Sequence, residues 1–259
     1  MGQQYRHELK FICSRTELSL LESRIRLFCP LDPHVGKESG YSIRSVYFDT
    51  PENDAFYENE NGDNDRAKYR IRIYNYSDAV IKLERKSSHN GLKHKESCNL
   101  NRLQCNELLS GIPGDALSLG NQLSGGASFD SPYFGTASLG NLPSEEAAPF
   151  APLLQSFLAE MALRQLRPRI LVDYHRTPYI YPIGNVRITF DRNIRASCTA
   201  ELFRRDIPSY PVLSDQADLL EVKYDEVLPQ ALLEALTCGH DLRRTSFSKY
   251  YLSRSRYRL

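Results

Sequence analysis

Apolar and polar positions alternate with a period of two along much of this chain, the pattern of strands whose two faces meet different surroundings. The clearest runs are residues 43–49, 69–75, 79–86, 169–176, 186–191 and 219–223, and near the start Glu8 and Lys10 oppose Leu9 and Phe11. Helical spacing is rarer. Ser14-Arg15-Thr16-Glu17 has the spacing of a capping box, and Leu18, Leu21, Ile25 and Phe28 then share one face, which predicts a helix near 15–28. Pro152 opens a second, striped by Leu154, Phe157, Leu158 and Met161 and ended near 165 by Arg167-Pro168. A third follows Pro229 through Leu232, Leu233 and Leu236 to Gly239, and a fourth, aromatic and basic, is predicted over 246–256. Residues 110–149 are thick with Gly, Ser and Pro and lack periodicity, so they read as a surface insertion with outer limits of about 104–150. Two strand-rich parts, about 1–102 and 164–259, flank it within one predicted domain spanning 1–259.

The polar faces of the strands are unusual. Arg70 and Arg72 stand opposite Ile71 and Ile73, and Lys82, Glu84 and Lys86 oppose Ile81 and Leu83. Arg187, Thr189 and Asp191 oppose Val186, Ile188 and Phe190, while Glu221 and Lys223 oppose Leu220 and Val222. Charged alternation ordinarily marks an antiparallel sheet with one face in water. A solvated face mixes Ser, Thr, Gln, Glu and Lys, whereas these faces favour Arg, whose rigid fork of donors matches phosphate oxygens. If such a sheet closes, the charged faces converge inside, and the expected fold class is α+β: an antiparallel β-barrel with a charged interior, flanked by a few helices that cover its apolar exterior. Such a barrel would be a tunnel for phosphates.

Composition adds three limits. The 33 basic and 32 acidic residues nearly cancel, yet residues 103–163 contain no Lys or Arg and six acids. The rest carries 33 basic against 26 acidic residues, a net of +7, which calls for an anionic partner. Six cysteines without a CxxC pair and a polar start without a signal-like apolar run point to a reducing cytoplasm. No apolar run is long enough for a membrane segment, and the six histidines form no zinc motif.

The ordered set Arg6-His7-Glu8-Leu9-Lys10-Phe11, Val46-Tyr47-Phe48-Asp49-Thr50, Tyr69-Arg70-Ile71-Arg72-Ile73-Tyr74, Leu83-Glu84-Arg85-Lys86, Asp173-Tyr174-His175-Arg176, Val186-Arg187-Ile188-Thr189-Phe190-Asp191, Leu220-Glu221-Val222-Lys223 and Ser246-Phe247-Ser248-Lys249-Tyr250 resembles the VTC polyphosphate polymerase domain, in its stand-alone bacterial type. That domain is a member of the triphosphate tunnel metalloenzymes. The resemblance implies an ATP-dependent phosphotransferase that passes the γ-phosphate to a growing polyphosphate chain inside the tunnel, with Mn2+ or Mg2+ as cofactor. Position by position it implies Lys10, Arg70, Arg72, Lys86, Arg176, Arg187 and Lys249 as catalytic cations, and Lys95, Tyr174, Ser248 and Lys223 as further phosphate-binding residues. Lys93 shares the parity of Lys95. Glu221, Glu8 and Glu84 are the expected metal ligands. The related triphosphatases and cyclases begin with an ExExK triad, and here Arg6 stands two before Glu8, which favours the polymerase branch.

ATP and polyphosphate or triphosphate are thus the expected partners, and nucleic acid is not. Two alternatives stay open from the residues: a tunnel phosphohydrolase with water as acceptor, and a non-catalytic polyphosphate-binding module, for which tyrosines near Arg70 and Arg72 could also be read as a stacking surface.

Overall fold

The structure, a computed structural model, describes residues 7–35, 38–89, 92–111, 151–214, 216–237 and 242–256. Every alternating segment is a strand, and most run further than the pattern marked. In chain order these are β1 (His7–Ser14), β2 (Tyr41–Asp49), β3 (Arg66–Tyr74), β4 (Ser77–His89), β5 (Leu92–Leu100), β6 (Arg167–Tyr181), β7 (Val186–Ser197), β8 (Tyr210–Pro211) and β9 (Ala217–Tyr224). The helices are α1 (Arg15–Ile25), α2 (Asp54–Asn61), α3 (Arg102–Ser110), α4 (Pro152–Leu163), α5 (Gln230–Thr237) and α6 (Lys249–Ser255).

One antiparallel sheet has the order β1-β9-β7-β6-β2-β3-β4-β5, with β8 on β7. This corrects the expected closed barrel, because among the described residues β1 and β5 share no ladder and are the two ends of the order. The sheet nevertheless curls until its ends meet through side chains: Lys93 Nζ on β5 lies 3.0 Å from Glu8 Oε2 on β1. The outer edge of β1 is covered too, since Phe11 bridges Arg244 and the Thr245 N–H donates to the Lys10 carbonyl at 2.9 Å.

Apolar faces look outward, where helices cover them. Ile71, Ile73, Leu83, Val46 and Phe48 pack under Leu154, Phe157 and Met161 of α4 and Cys105 and Leu108 of α3. On the other flank Leu18, Leu21 and Ile25 of α1 join Leu232 and Leu236 of α5 over Val186, Ile188, Phe190, Leu220 and Val222. The capping box is present, with Ser14 accepting from the Glu17 N–H and Glu17 returning the bond. α1 stops at Ile25, short of the predicted 28, and α6 starts at Lys249 with Ser248 as its N-cap. α3 takes the start of the predicted insertion; residues 112–150 and Gly239 lie outside the described residues.

The tight β3–β4 turn places both Asn75 and Tyr76 at positive φ (50° and 58°), the geometry of a twist-matched hairpin turn. Tyrosine seldom adopts it, and Tyr76 is held by tertiary contacts: its ring lies 4.5 Å from the Arg44 guanidinium, and its hydroxyl donates to Asp173 at 3.2 Å. Gly40 leads into β2 where a Cβ would come within 2.5 Å of the Arg176 carbonyl, so only glycine lets the chain pass so close to β6.

Candidate active site

The concave face of the sheet and the 244–250 segment enclose a cavity of about 930 Å3, into which thirteen Lys and Arg side chains project. Strand alternation puts them there. On β3 the even residues Arg66, Lys68, Arg70 and Arg72 face inward, and on β9 Glu221 and Lys223 do so opposite buried Leu220 and Val222. Lys10, Lys86, Lys95, Tyr174, Arg176, Arg187, Ser248 and Lys249 all line the same space. The structure thus brings together every cation and phosphate-binding residue expected from the sequence.

Carboxylates behind the cations fix their positions. Glu84, with none of its surface exposed, accepts from Arg70 Nε at 2.6 Å, has Arg72 Nη1 at 3.7 Å and ion-pairs with Lys95. Asp191, equally buried, accepts from Arg176 at 2.6 and 2.7 Å and from Lys249 Nζ at 2.7 Å, so one carboxylate ties α6 to the sheet. Asp32 pairs with Arg187 at 2.9 Å, and Tyr41 accepts a second bond from Arg187 at 3.3 Å. Burial alone would raise these carboxyls; Arg176 and Lys249 hold Asp191 below its usual range, and Arg70, Arg72 and Lys95 hold Glu84 far below.

Glu8 and Glu221 differ from Glu84. They lie diagonally across the β1–β9 ladder, where Glu8 faces Lys223 and Lys10 faces Glu221. Lys10 Nζ is 3.5 Å from Glu8 and 4.0 Å from Glu221, and Lys223 Nζ is 2.9 Å from Glu221. Burial and the neighbouring Glu221 push the Glu8 carboxyl up, yet Lys10, Lys223 and Lys86 outweigh them and hold it at about 2. Glu8 Oε1 is buried without a hydrogen-bond donor. Two adjacent hard oxygen donors, one of them without a hydrogen-bond donor, are of the type that Mg2+ or Mn2+ would take as ligands. Among the described residues no three or more metal-ligating side chains cluster, so such a site would depend on the substrate. Glu84 is placed differently: Arg70 and Arg72 converge on its Oε2 and Lys95 ion-pairs with its Oε1, which suits a positioning carboxylate.

Several members of this site were missed from the sequence, among them Arg66, Lys68, Arg244 and Asp32. Arg66 and Lys68 continue the even-numbered face of β3 and could have been found by extending that alternation two residue pairs toward the N-terminus. Asp32 sits in a connecting loop, where no periodicity marks it.

Among the described residues Lys68 has no carboxylate within ion-pair distance; its Nζ donates to Asn59 Oδ1 at 2.6 Å and Ser248 Oγ at 3.1 Å. Burial, then Arg66, Lys10, Arg70 and Lys93, push it down to about 7. Between that value and the ordinary 10.5 the unfolded chain binds more protons than the folded one, so stability rises with pH across the window. The melting temperature of the anion-free protein is expected to climb from pH 7 to about 8.5, and Lys68→Met to reduce the slope. A wild-type midpoint that falls over this range would contradict the assignment. At higher pH the buried Cys13 and Cys105 thiols, pushed up to about 12, act in the opposite sense.

A sequence profile of the VTC domain matches residues 5–256. No curated protein matches the chain. Solved structures with a distant likeness include a provisionally assigned adenylate cyclase from Bacillus halodurans, with 14% identity over 91% of this chain and 87% of that one and a TM-score of 0.45. Another provisionally assigned adenylate cyclase, from Vibrio parahaemolyticus, shows 11% identity over 97% and 98%, with a TM-score of 0.47. A conserved hypothetical protein from Pyrococcus furiosus shows 10% identity over 89% and 85%, with a TM-score of 0.38.

Proposed function

The chain belongs to the VTC domain family, and from that premise we propose that it transfers the terminal phosphoryl group of ATP to a growing polyphosphate chain held in the cationic cavity. The observation that carries this reading is the charge inventory: among the described residues thirteen cations line one cavity, with Glu8 and Glu221 as the carboxylates of its lining. Phosphoryl transfer asks for an in-line arrangement and for neutralised oxygens more than for covalent work by the protein. Arg70, Arg72, Arg176 and Arg187 offer forked donors to the phosphate oxygens, each pre-aimed by its buried carboxylate. Lys10, Lys223 and Lys249 add point charges. An acceptor phosphate has lost its last proton by about pH 6–7, so an attacking phosphate oxygen needs no general base.

Glu8 and Glu221 would hold the Mn2+ or Mg2+ ion, which when bound supplies further neutralisation of the phosphoryl oxygens. Lys10 and Lys223 keep both carboxylates ionised and ready to ligate. Among the described residues no helix is long and apolar enough to cross a membrane.

Incubation with ATP and Mn2+, followed by gel separation of polyphosphate and assay of free phosphate, tests the reading. A ladder of long chains with little free phosphate is expected. Free phosphate without a ladder would replace transferase by hydrolase, and silence in both would leave a binding module. Independently of turnover, tripolyphosphate at 100 times its dissociation constant is expected to stabilise the protein by about 2.7 kcal/mol, a rise of about 5–10 °C in melting temperature. An unmoved midpoint at millimolar tripolyphosphate would count against the cavity as its site.

A further inference from the structure

The cationic lining is not uniformly balanced. Lys68 pairs in register with Lys86 across β3 and β4, and Lys86 pairs with Lys95 across β4 and β5, so three lysines stand side by side on one rung of the sheet. All three project into the cavity. Like charges directly opposite one another destabilise a sheet, and such a rung persists at a cost unless an anion neutralises it. Elsewhere in the lining Arg70 has Glu84, Arg176 has Asp191 and Arg187 has Asp32. On the rung only Lys95 has one, Glu84. Among the described residues neither Lys68 nor Lys86 has a carboxylate within 4.0 Å, and Lys68 is steadied only by the neutral oxygens of Asn59 on α2 and Ser248 at the start of α6. Lys68 and Lys86 therefore offer charge that no carboxylate of the described residues matches at ion-pair distance. An ammonium has no fixed fork and can meet an oxygen from several directions, which suits the three terminal oxygens of a phosphate monoester or of a chain end better than the bridged interior of a polyphosphate.

We propose that the Lys68–Lys86–Lys95 rung is a separate anion subsite that takes the terminal phosphoryl group of the acceptor, apart from the guanidinium wall that takes the donor triphosphate. The acceptor role rests on the transfer reading above; the subsite itself does not. Lys68, steadied by α2 and α6, is its specificity-determining member.

The test is binding by titration calorimetry in metal-free and nucleotide-free buffer, with orthophosphate and tripolyphosphate as separate probes. Lys68→Met is expected to weaken orthophosphate at least tenfold and tripolyphosphate less than about threefold, while Arg187→Ala shows the reverse order. Lys68→Arg, which keeps the charge, is expected to keep orthophosphate within about threefold. Removing a half-buried ammonium that no carboxylate balances should leave the melting temperature of Lys68→Met in phosphate-free buffer equal to or above that of the wild type. Orthophosphate that fails to bind the wild type at 50 mM, equal losses of both probes in Lys68→Met, or loss of orthophosphate in Lys68→Arg as well would each overturn the subsite. A protein that makes no polyphosphate yet shows the expected pattern would overturn the transfer reading and leave the subsite standing.

Discussion

Glu84→Ala is expected to lose about 3–5 kcal/mol of stability, the cost of stripping a buried carboxylate from the cations it holds. For a chain of this size that is a fall of about 6–20 °C in melting temperature. The magnitude follows from the site. Glu84 has none of its surface exposed, and Arg70, Arg72 and Lys95 converge on it. Without it Arg70 and Arg72, both 7% exposed, keep their charge in a space shared with Lys86 and Lys68. Glu84→Gln retains a hydrogen-bond acceptor for Arg70 and should lose less. Tripolyphosphate, which brings charge into the same cavity, should recover part of the loss in the alanine variant, and more than sodium chloride of equal ionic strength does. Thermal unfolding with and without each salt checks this. A midpoint within about 2 °C of the wild type would show that the arginines are positioned without the carboxylate.

Glu221→Gln is expected to lower turnover by about 10²–10³-fold, the range for removing one element of a preorganised electrostatic site. Its binding of tripolyphosphate should change less than about tenfold, and in the direction of tighter binding, because a negative charge leaves a cationic cavity. Glu221 is buried at 6% exposure, is flanked by Lys223 and Lys10, and sits beside Glu8. A pure anion binder gains nothing from two carboxylates there, whereas a site that recruits a divalent cation needs them. Calorimetry and a product assay on one preparation separate the two effects. Equal turnover in variant and wild type would remove Glu221 from the metal role, and parallel loss of binding and turnover would make it a structural residue of the β1–β9 ladder.

Most of the strand framework was legible because the side-chain period of a strand is written directly in the order of residues. Ile71 and Ile73 against Arg70 and Arg72 assign both faces of β3 at once, and the same holds for β7 and β9. β5 escaped because residues 92–100 carry few apolar residues to alternate with; its pairing to β4 makes it a strand. α2 escaped for another reason: its N-terminus is capped not by a neighbour in the usual position but by Asp49, which accepts from the N–H groups of Ala55 and Phe56 at 2.9 and 3.1 Å. Tyr250 of α6 donates to the same carboxylate, so α2 and α6 are held together by a residue belonging to neither.

The site divides along the same line. By itself the sequence determined which side chains would share a face, because alternation is a local property of the backbone, and so it supplied Lys10, Arg70, Arg72, Lys86, Arg187, Glu221 and Lys223 on the charged faces of their strands, while Arg176 came only from the family resemblance. Tertiary structure alone decided which charges meet which, because an ion pair is set by register and curvature across strands far apart in the chain. That is why Glu84, expected with Glu8 and Glu221 as a metal ligand, lies among Arg70, Arg72 and Lys95; why Asp32, in a loop without period, became the partner of Arg187; and why the sheet, read as a closed barrel, meets end to end through Glu8 and Lys93 in place of a ladder of backbone hydrogen bonds.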